Sequence, residues 1–102
     1  ADAAAAEAGG RWQPVGIASW YGAAHEGRPT ATGRPYRMRE LTAAHPTLPH
    51  GTRLLVTNLR NGRKVVVRVS DRGPQGGKRI IDLSRAAAER LEHAREAATS
   101  NA

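Results

Sequence analysis

The clearest pattern in the chain lies in its middle. From Arg63 to Ser70 the apolar positions Val65, Val67 and Val69 fall on one face of a two-residue period, with Val66 and Arg68 on the other. Thr52 to Leu59 is a second β-rich run, and Asn61-Gly62 between the two predicts a hairpin closed by a type I′ turn. Gly16 to Tyr21 predicts a short strand, with Ile17, Ser19 and Tyr21 on one face and Ala18 and Trp20 on the other. Leu41 to His45 is a short apolar patch, followed by a turn through Pro46, Pro49 and Gly51, and Arg79 to Leu83 predicts another short strand. Ser84 is placed to cap a helix through Ala86, Ala87, Ala88 and Leu91 whose pattern continues to Ala98, beyond which Thr99 to Ala102 should fray. Gly22 to Tyr36 is rich in Gly, Pro and Thr and reads as a loop. A connection of that length in a compact domain usually carries function. Ala1 to Gly10 offers no apolar face to bury and reads as flexible leader. The expected organisation is a leader over 1–14, a mainly β domain over 15–92, and a helix end with a frayed tail over 93–102.

Composition changes this picture only at the edges. A chain of 102 residues fits one domain with a single core, and with no Phe, two Trp and two Tyr that core must be mostly Val, Leu, Ile and Ala. The formal charge of +7 favours a polyanionic neighbour: nucleic acid, anionic lipid or an acidic cell-wall polymer. The basic residues are scattered, with no helix-turn-helix or zinc pattern, so nucleic acid is the weakest of the three. No Cys is present, which excludes disulfides, thiol nucleophiles and a lipobox anchor in this sequence. No apolar run reaches membrane-spanning length, and no signal peptide is legible, so the sequence reads as a mature form or as one whose export signal lies elsewhere.

Two residues stand out chemically. Asp71 sits where a β-branched strand gives way to Gly73-Pro74, a place that fixes a side chain while leaving its tip accessible, as a general acid requires. The same position also suits an Asp that merely caps the turn. His45 precedes Pro46, so its backbone is biased to an extended form, and its ring could orient a carboxylate, bind substrate or simply bond the backbone. His25, His50 and His93 show no HxxxH or HExxH spacing, so no metal site and no cofactor are expected. Asp82, two residues before Ser84, is explained as a carboxylate at a helix start.

The ordered set of short motifs resembles rare lipoprotein A domains. They run Gly16-Ile-Ala-Ser-Trp-Tyr-Gly22, Thr30-Ala-Thr-Gly33, Leu41-Thr-Ala-Ala-His45, Thr47-Leu-Pro49, Val56-Thr-Asn-Leu59, Asn61-Gly-Arg63, Val69-Ser-Asp-Arg-Gly-Pro74 and Ile81-Asp-Leu-Ser84. The resemblance implies a six-stranded double-psi β-barrel with one C-terminal helix. It implies a periplasmic or secreted lytic transglycosylase acting on peptidoglycan strands that lack stem peptides, cutting MurNAc-GlcNAc bonds and leaving 1,6-anhydro ends. Asp71 and His45 match the family's catalytic pair, and substrate contacts are expected from Trp20, Tyr21, Thr30, Arg34, Asn58 and Arg72. The other reading is a non-catalytic glycan-binding module of expansin or barwin type. The sequence departs from the family at two places. Arg34 stands where the family carries a Glu, leaving Glu26 and Glu40 as loop carboxylates that could stand in. Glu92 to Ala102 has no β-branched run, so the family's last strand is expected to be missing and a barrel edge left open.

Overall fold

The computed structural model describes residues 2–7, 15–21, 23–74 and 79–92. Six strands, a short 3₁₀ turn over Ala23–His25 and one α-helix are present; the strands and the α-helix follow in the order β1 (Asp2–Glu7), β2 (Val15–Trp20), β3 (Thr42–Ala44), β4 (Arg53–Asn58), β5 (Lys64–Asp71), β6 (Arg79–Leu83) and α1 (Arg85–Glu92). The strands close a barrel in the order β1-β2-β6-β3-β5-β4. Pairing is parallel for β2–β6 and β3–β5, and antiparallel for β1–β2, β1–β4, β3–β6 and β4–β5. This is the double-psi barrel with a single helix that the sequence resembles, and no strand follows α1 among the described residues.

The two-residue period of β5 is realised as read. Val65, Val67 and Val69 are buried while Val66 and Arg68 face out. They meet Leu54 and Val56 of β4, Ala18 of β2, Ala43 of β3, and Ile81 and Leu83 of β6 in one aliphatic core, closed on one side by Ala87 and Leu91 of α1. Ser84 caps the helix as expected: its Oγ accepts the N–H of Ala87 (3.3 Å) and also that of Thr42 (3.2 Å), while the Tyr36 hydroxyl accepts the N–H of Arg85 (3.0 Å).

Two expectations are corrected, and a third falls outside the described residues. The segment read as leader contributes β1, whose residues 2–5 pair with β2 and residues 4–7 with β4, so β1 joins these two strands in the closed barrel. The physical reason is that paired backbone, not side-chain alternation, makes this strand, and a run of Ala carries no period to read. The β4–β5 hairpin is not closed by a type I′ turn. That turn needs positive φ at both central residues; Gly62 has φ of 75°, but no described non-glycine residue has positive φ. The loop spans 59–63, with the Gly62 N–H on the Asn58 carbonyl (2.8 Å). The third concerns α1, which ends at Glu92 among the described residues; the expected continuation to Ala98, with the rest of the predicted tail, lies outside them.

Candidate active site

The barrel brings four strand ends together in one row. Ala44 of β3 pairs with Asp71 on one side and with Asp82 on the other, and Asp82 in turn pairs with Ser19 of β2. A register shift between Ala43 and Ala44 sets Ala44 opposite Asp71. With neighbouring strands about 4.8 Å apart, the Asp71 and Asp82 backbones lie roughly 10 Å from each other.

Asp71 ends β5 and is half-buried. Its Oδ1 accepts two backbone N–H bonds, from Arg72 and from Ala31, both at 2.8 Å. The first is the turn-capping bond that local sequence allows. The second crosses 40 residues and ties the long loop to the strand end. The other oxygen, Oδ2, takes no hydrogen bond or ion pair among the described residues. The turn beyond uses Gly73, whose φ of 124° side chains disfavour, before the cis bond to Pro74. A Cβ at Gly73 would also touch Oδ2 of Asp82 at 3.8 Å.

His45 is buried and works on the backbone beside Asp71. Its Nδ1 accepts the N–H groups of Thr47 and Leu48, each at 3.1 Å, which places the proton of the neutral ring on Nε2. Burial pushes its pKa below the usual histidine value, and the Arg72 charge adds to that. The His45 N–H donates to the Asp71 carbonyl (3.1 Å). Arg72 straps the same loop with one guanidinium nitrogen on the carbonyls of His45 (3.2 Å) and Leu48 (2.7 Å). Both residues therefore position the chain around Asp71, and the Arg72 guanidinium spends hydrogen bonds on that task.

Tyr21 follows β2, with its N–H on the Leu83 carbonyl (2.9 Å). Its ring stacks on His25 at 5.0 Å and meets Tyr36 edge-on at 5.4 Å. The phenol is pushed up to about 12, first by burial and then by the charges of Asp71 and Asp82. It stays a neutral hydrogen-bond donor within the field of both carboxylates.

Asp82 is the residue sequence reading missed. It is buried in β6, and its Oδ1 accepts from the Ser19 hydroxyl and from Arg79 (3.3 Å). Ser84 does the capping, so the helix-start explanation for Asp82 fails. The available signal was a carboxylate between Ile81 and Leu83 inside an apolar run.

The remaining expected residues divide. Thr30 and Arg34 lie in the loop turn that Asp71 holds: the Thr30 N–H (2.9 Å) and the Thr30 hydroxyl (2.7 Å) both donate to the Arg34 carbonyl. Arg34 makes no ion pair with Asp71 among the described residues. Trp20 is exposed on the other side of β2, beside Arg85, Ala88 and Glu89 of α1, and does not join the group. Asn58 does not either. It is buried at the far end of β4, about 25 Å from Asp71 by the length of β5. Its amide donates to the Leu91 carbonyl (3.3 Å) and accepts from Arg60 (2.9 Å), which makes it a helix-end brace. Glu26 is committed as well: Met38 N–H (2.8 Å) and Arg37 (3.1 Å) bind its two oxygens and hold its pKa below the usual value. That is unfavourable for a proton donor.

Next to Asp71, a cleft of about 480 Å³ runs from the Thr30–Thr32 turn and Ser70 past Arg34, Arg37 and Arg68 to His50. A fixed carboxyl beside a polar cleft is a candidate to deliver a proton to a bound ligand and recover it.

The chain is similar to known proteins. The family described as lytic transglycolase matches residues 13–99. The probable endolytic peptidoglycan transglycosylase RlpA of Synechocystis sp. is 60% identical over 76 residues, covering 74% of this chain and 24% of that protein. The endolytic peptidoglycan transglycosylase RlpA of Campylobacter jejuni is 56% identical over 77 residues, covering 76% and 28%. That of Neisseria meningitidis serogroup A is 54% identical over 77 residues, covering 76% and 32%. The matched part of the chain thus spans about a quarter to a third of the length of these curated relatives.

Proposed function

We propose a peptidoglycan-cleaving activity for this chain, which belongs to the RlpA-like lytic transglycosylase family. The substrate is a glycan strand stripped of stem peptides, and the bond cut joins N-acetylmuramic acid to N-acetylglucosamine. The observation that carries this reading is the Asp71 carboxyl, anchored through Oδ1 to the Ala31 and Arg72 N–H groups, next in sequence to Ser70, which lines the cleft with Thr30 and Thr32.

In this mechanism Asp71 enters protonated and gives its proton to the glycosidic oxygen as the bond from C1 of the muramic acid breaks. The 6-hydroxyl of the same sugar attacks C1 and closes a 1,6-anhydro ring. Its proton returns to Asp71, so the acid is regenerated and no water is consumed. One carboxyl group serves both steps, whereas most hydrolases need two. Tyr21 supplies a neutral donor near the leaving oxygen, and His45 with Arg72 holds the backbone that presents Asp71.

The test is mass spectrometry of amidase-treated sacculi digested by the chain or by its Asp71→Asn variant. Anhydro-muramic products are expected from the first and none from the second. Products carrying only added water would overturn the reading.

A second reading has one observation in its favour. Arg34, in place of the family's Glu, cannot take part in proton transfer, which suits a module that binds glycan without cutting it. That reading expects wild-type chain to pellet with sacculi and release nothing. It also expects Arg34→Glu to gain cleavage.

A further inference from the structure

We infer that Asn61 is a self-modification site, where an amide-to-acid conversion at Asn61-Gly62 is held in check by the end of α1 and unlatches α1 once it has happened. The site lies just before β5, at the end away from Asp71, and takes no part in the proposed cleavage.

The chemistry needs only the chain and water. Gly62 has no side chain to shield its backbone nitrogen, and the space where one would stand is open, with no heavy atom within 4 Å. Once base removes its proton, that nitrogen bonds to Cγ of Asn61. The Cγ–Nδ2 bond breaks and the amide nitrogen leaves as ammonia. Water then opens the cyclic imide at either carbonyl, giving aspartate or isoaspartate.

The folded chain engages the three polar atoms of that step. The Gly62 N–H is bonded to the Asn58 carbonyl at 2.8 Å, which keeps its proton in place. Asn61 Oδ1 accepts the Arg63 N–H at 2.9 Å, and Asn61 Nδ2 donates to the Leu91 carbonyl at 2.8 Å, so the amide is held from both sides. The Leu91 carbonyl also accepts from Asn58 Nδ2 (3.3 Å), and Arg63 Nε donates to the neighbouring Arg90 carbonyl (2.7 Å). Attack on Cγ therefore waits until the end of α1 lifts off the loop.

The conversion runs one way. Nδ2 is the donor that reaches Leu91. An acid puts a charged acceptor in its place, against a carbonyl at the negative end of the helix dipole. The isoaspartate product also lengthens the backbone by a methylene. Either product lacks the bond that restrained it, and Leu91, which closes the core from α1, is then held less firmly.

The experiment ages the folded chain beside a synthetic peptide of residues 59–66 at mildly alkaline pH. Asn61 is followed by peptide mass spectrometry, and isoaspartate by methyltransferase labelling. Conversion in the folded chain should be slower by about tenfold or more, the scale of a hydrogen bond that must break first. Asn58→Ala removes one bond to Leu91 and leaves residues 59–66 unaltered, and it should speed conversion severalfold. Val69→Ala, in the core near the Asp71 end of β5, weakens the whole chain with the clamp intact and should speed it less. Asn61→Asp should lower the urea midpoint and raise hydrogen exchange in the last turn of α1. Equal rates in chain and peptide, or equal acceleration by Asn58→Ala and Val69→Ala, would mean that α1 does not gate the step, and would overturn the inference. An Asn61→Asp chain with wild-type midpoint and exchange would overturn the unlatching.

Discussion

The two ends of β5 are built alike and put to different uses. Each passes into a turn that carries an Asx side chain and a glycine in the left-handed region: Asn61-Gly62 before the strand, Asp71 and Gly73 at its end. At the hairpin end both asparagine side chains are spent as donor and acceptor. Asn58 and Asn61 both donate to the Leu91 carbonyl, accept from Arg60 and Arg63 respectively, and are joined by the Arg63 guanidinium on the Arg90 carbonyl (2.7 Å). These bonds satisfy the open carbonyls at the end of α1. At the other end Asp71 spends one oxygen and keeps the other. A saturated polar group is a brace; a half-saturated one beside a cleft can do chemistry.

Exchanging the chemistry at each end is the strongest way to break this contrast. Asp71→Asn keeps an oxygen for the Arg72 and Ala31 N–H groups, so the fold should survive. Cleavage of stripped glycan should fall by about 10²–10⁴, the usual range for a lost acid-base group. Product release and a denaturant melt measured on the same preparation check both halves. A large loss of stability, or retained cleavage, would make Asp71 another brace.

The complementary change is Asn58→Ala. It removes the side-chain acceptor of the Arg60 N–H and leaves the Leu91 carbonyl to Asn61 alone, and should cost about 1–3 kcal/mol in urea unfolding with the cleavage rate per folded molecule unchanged. Loss of activity at full stability would return Asn58 to the substrate-contact role that the family resemblance suggested.

What was legible in the sequence follows the range of each interaction. The Val65-Val67-Val69 alternation and the Ser84 cap are local, and both are present as read. Asp71 was legible because a strand end and a Gly-Pro turn are neighbours in sequence. The failures are non-local. Asp82 meets Ser19 across 63 residues, so a complete local explanation at the helix start hid its true partner. Asn58 meets Leu91 across 33 residues. β1 is an Ala run that gains its identity only from the flanking strands β2 and β4. Even the type I′ signal at Asn61-Gly62 yielded to a distant carbonyl, because Asn61 reaches Leu91 from a wider loop.

The His45 ring sharpens the comparison through pH. Its folded pKa lies below the ordinary value of about 6.5. The unfolded chain therefore takes up the proton first as pH falls. The stability linked to His45 is fully present above about 6.5 and is lost as pH falls from there through the folded value, by at most about 1.4 kcal/mol per pH unit. Urea melts between pH 7 and 5 should show that slope, and His45→Gln should flatten it. An unchanged slope in the variant would place the titrating group elsewhere.

The smallest effect is also the most direct reading of geometry. Tyr21 should ionise at about 12 in the folded chain, with burial as the first cause and the charges of Asp71 and Asp82 next. Because the folded value is raised, the stability linked to this phenol is intact below its ordinary value of about 10 and is lost as pH rises through the folded one. Removing one carboxylate at the chemical end should therefore lower the Tyr21 titration. Asp71→Asn should bring it down from about 12 without reaching 10, because burial remains. Asn58→Ala, at the braced end, should leave it where it is. Tyrosine labelled with ¹³C at Cζ reports each phenol separately by NMR, so Tyr36, itself raised by burial, does not confuse the result. A Tyr21 titration indifferent to Asp71→Asn would mean that the phenol and the carboxylate do not share one site. The contrast between the two ends of β5 would then rest on hydrogen bonding alone.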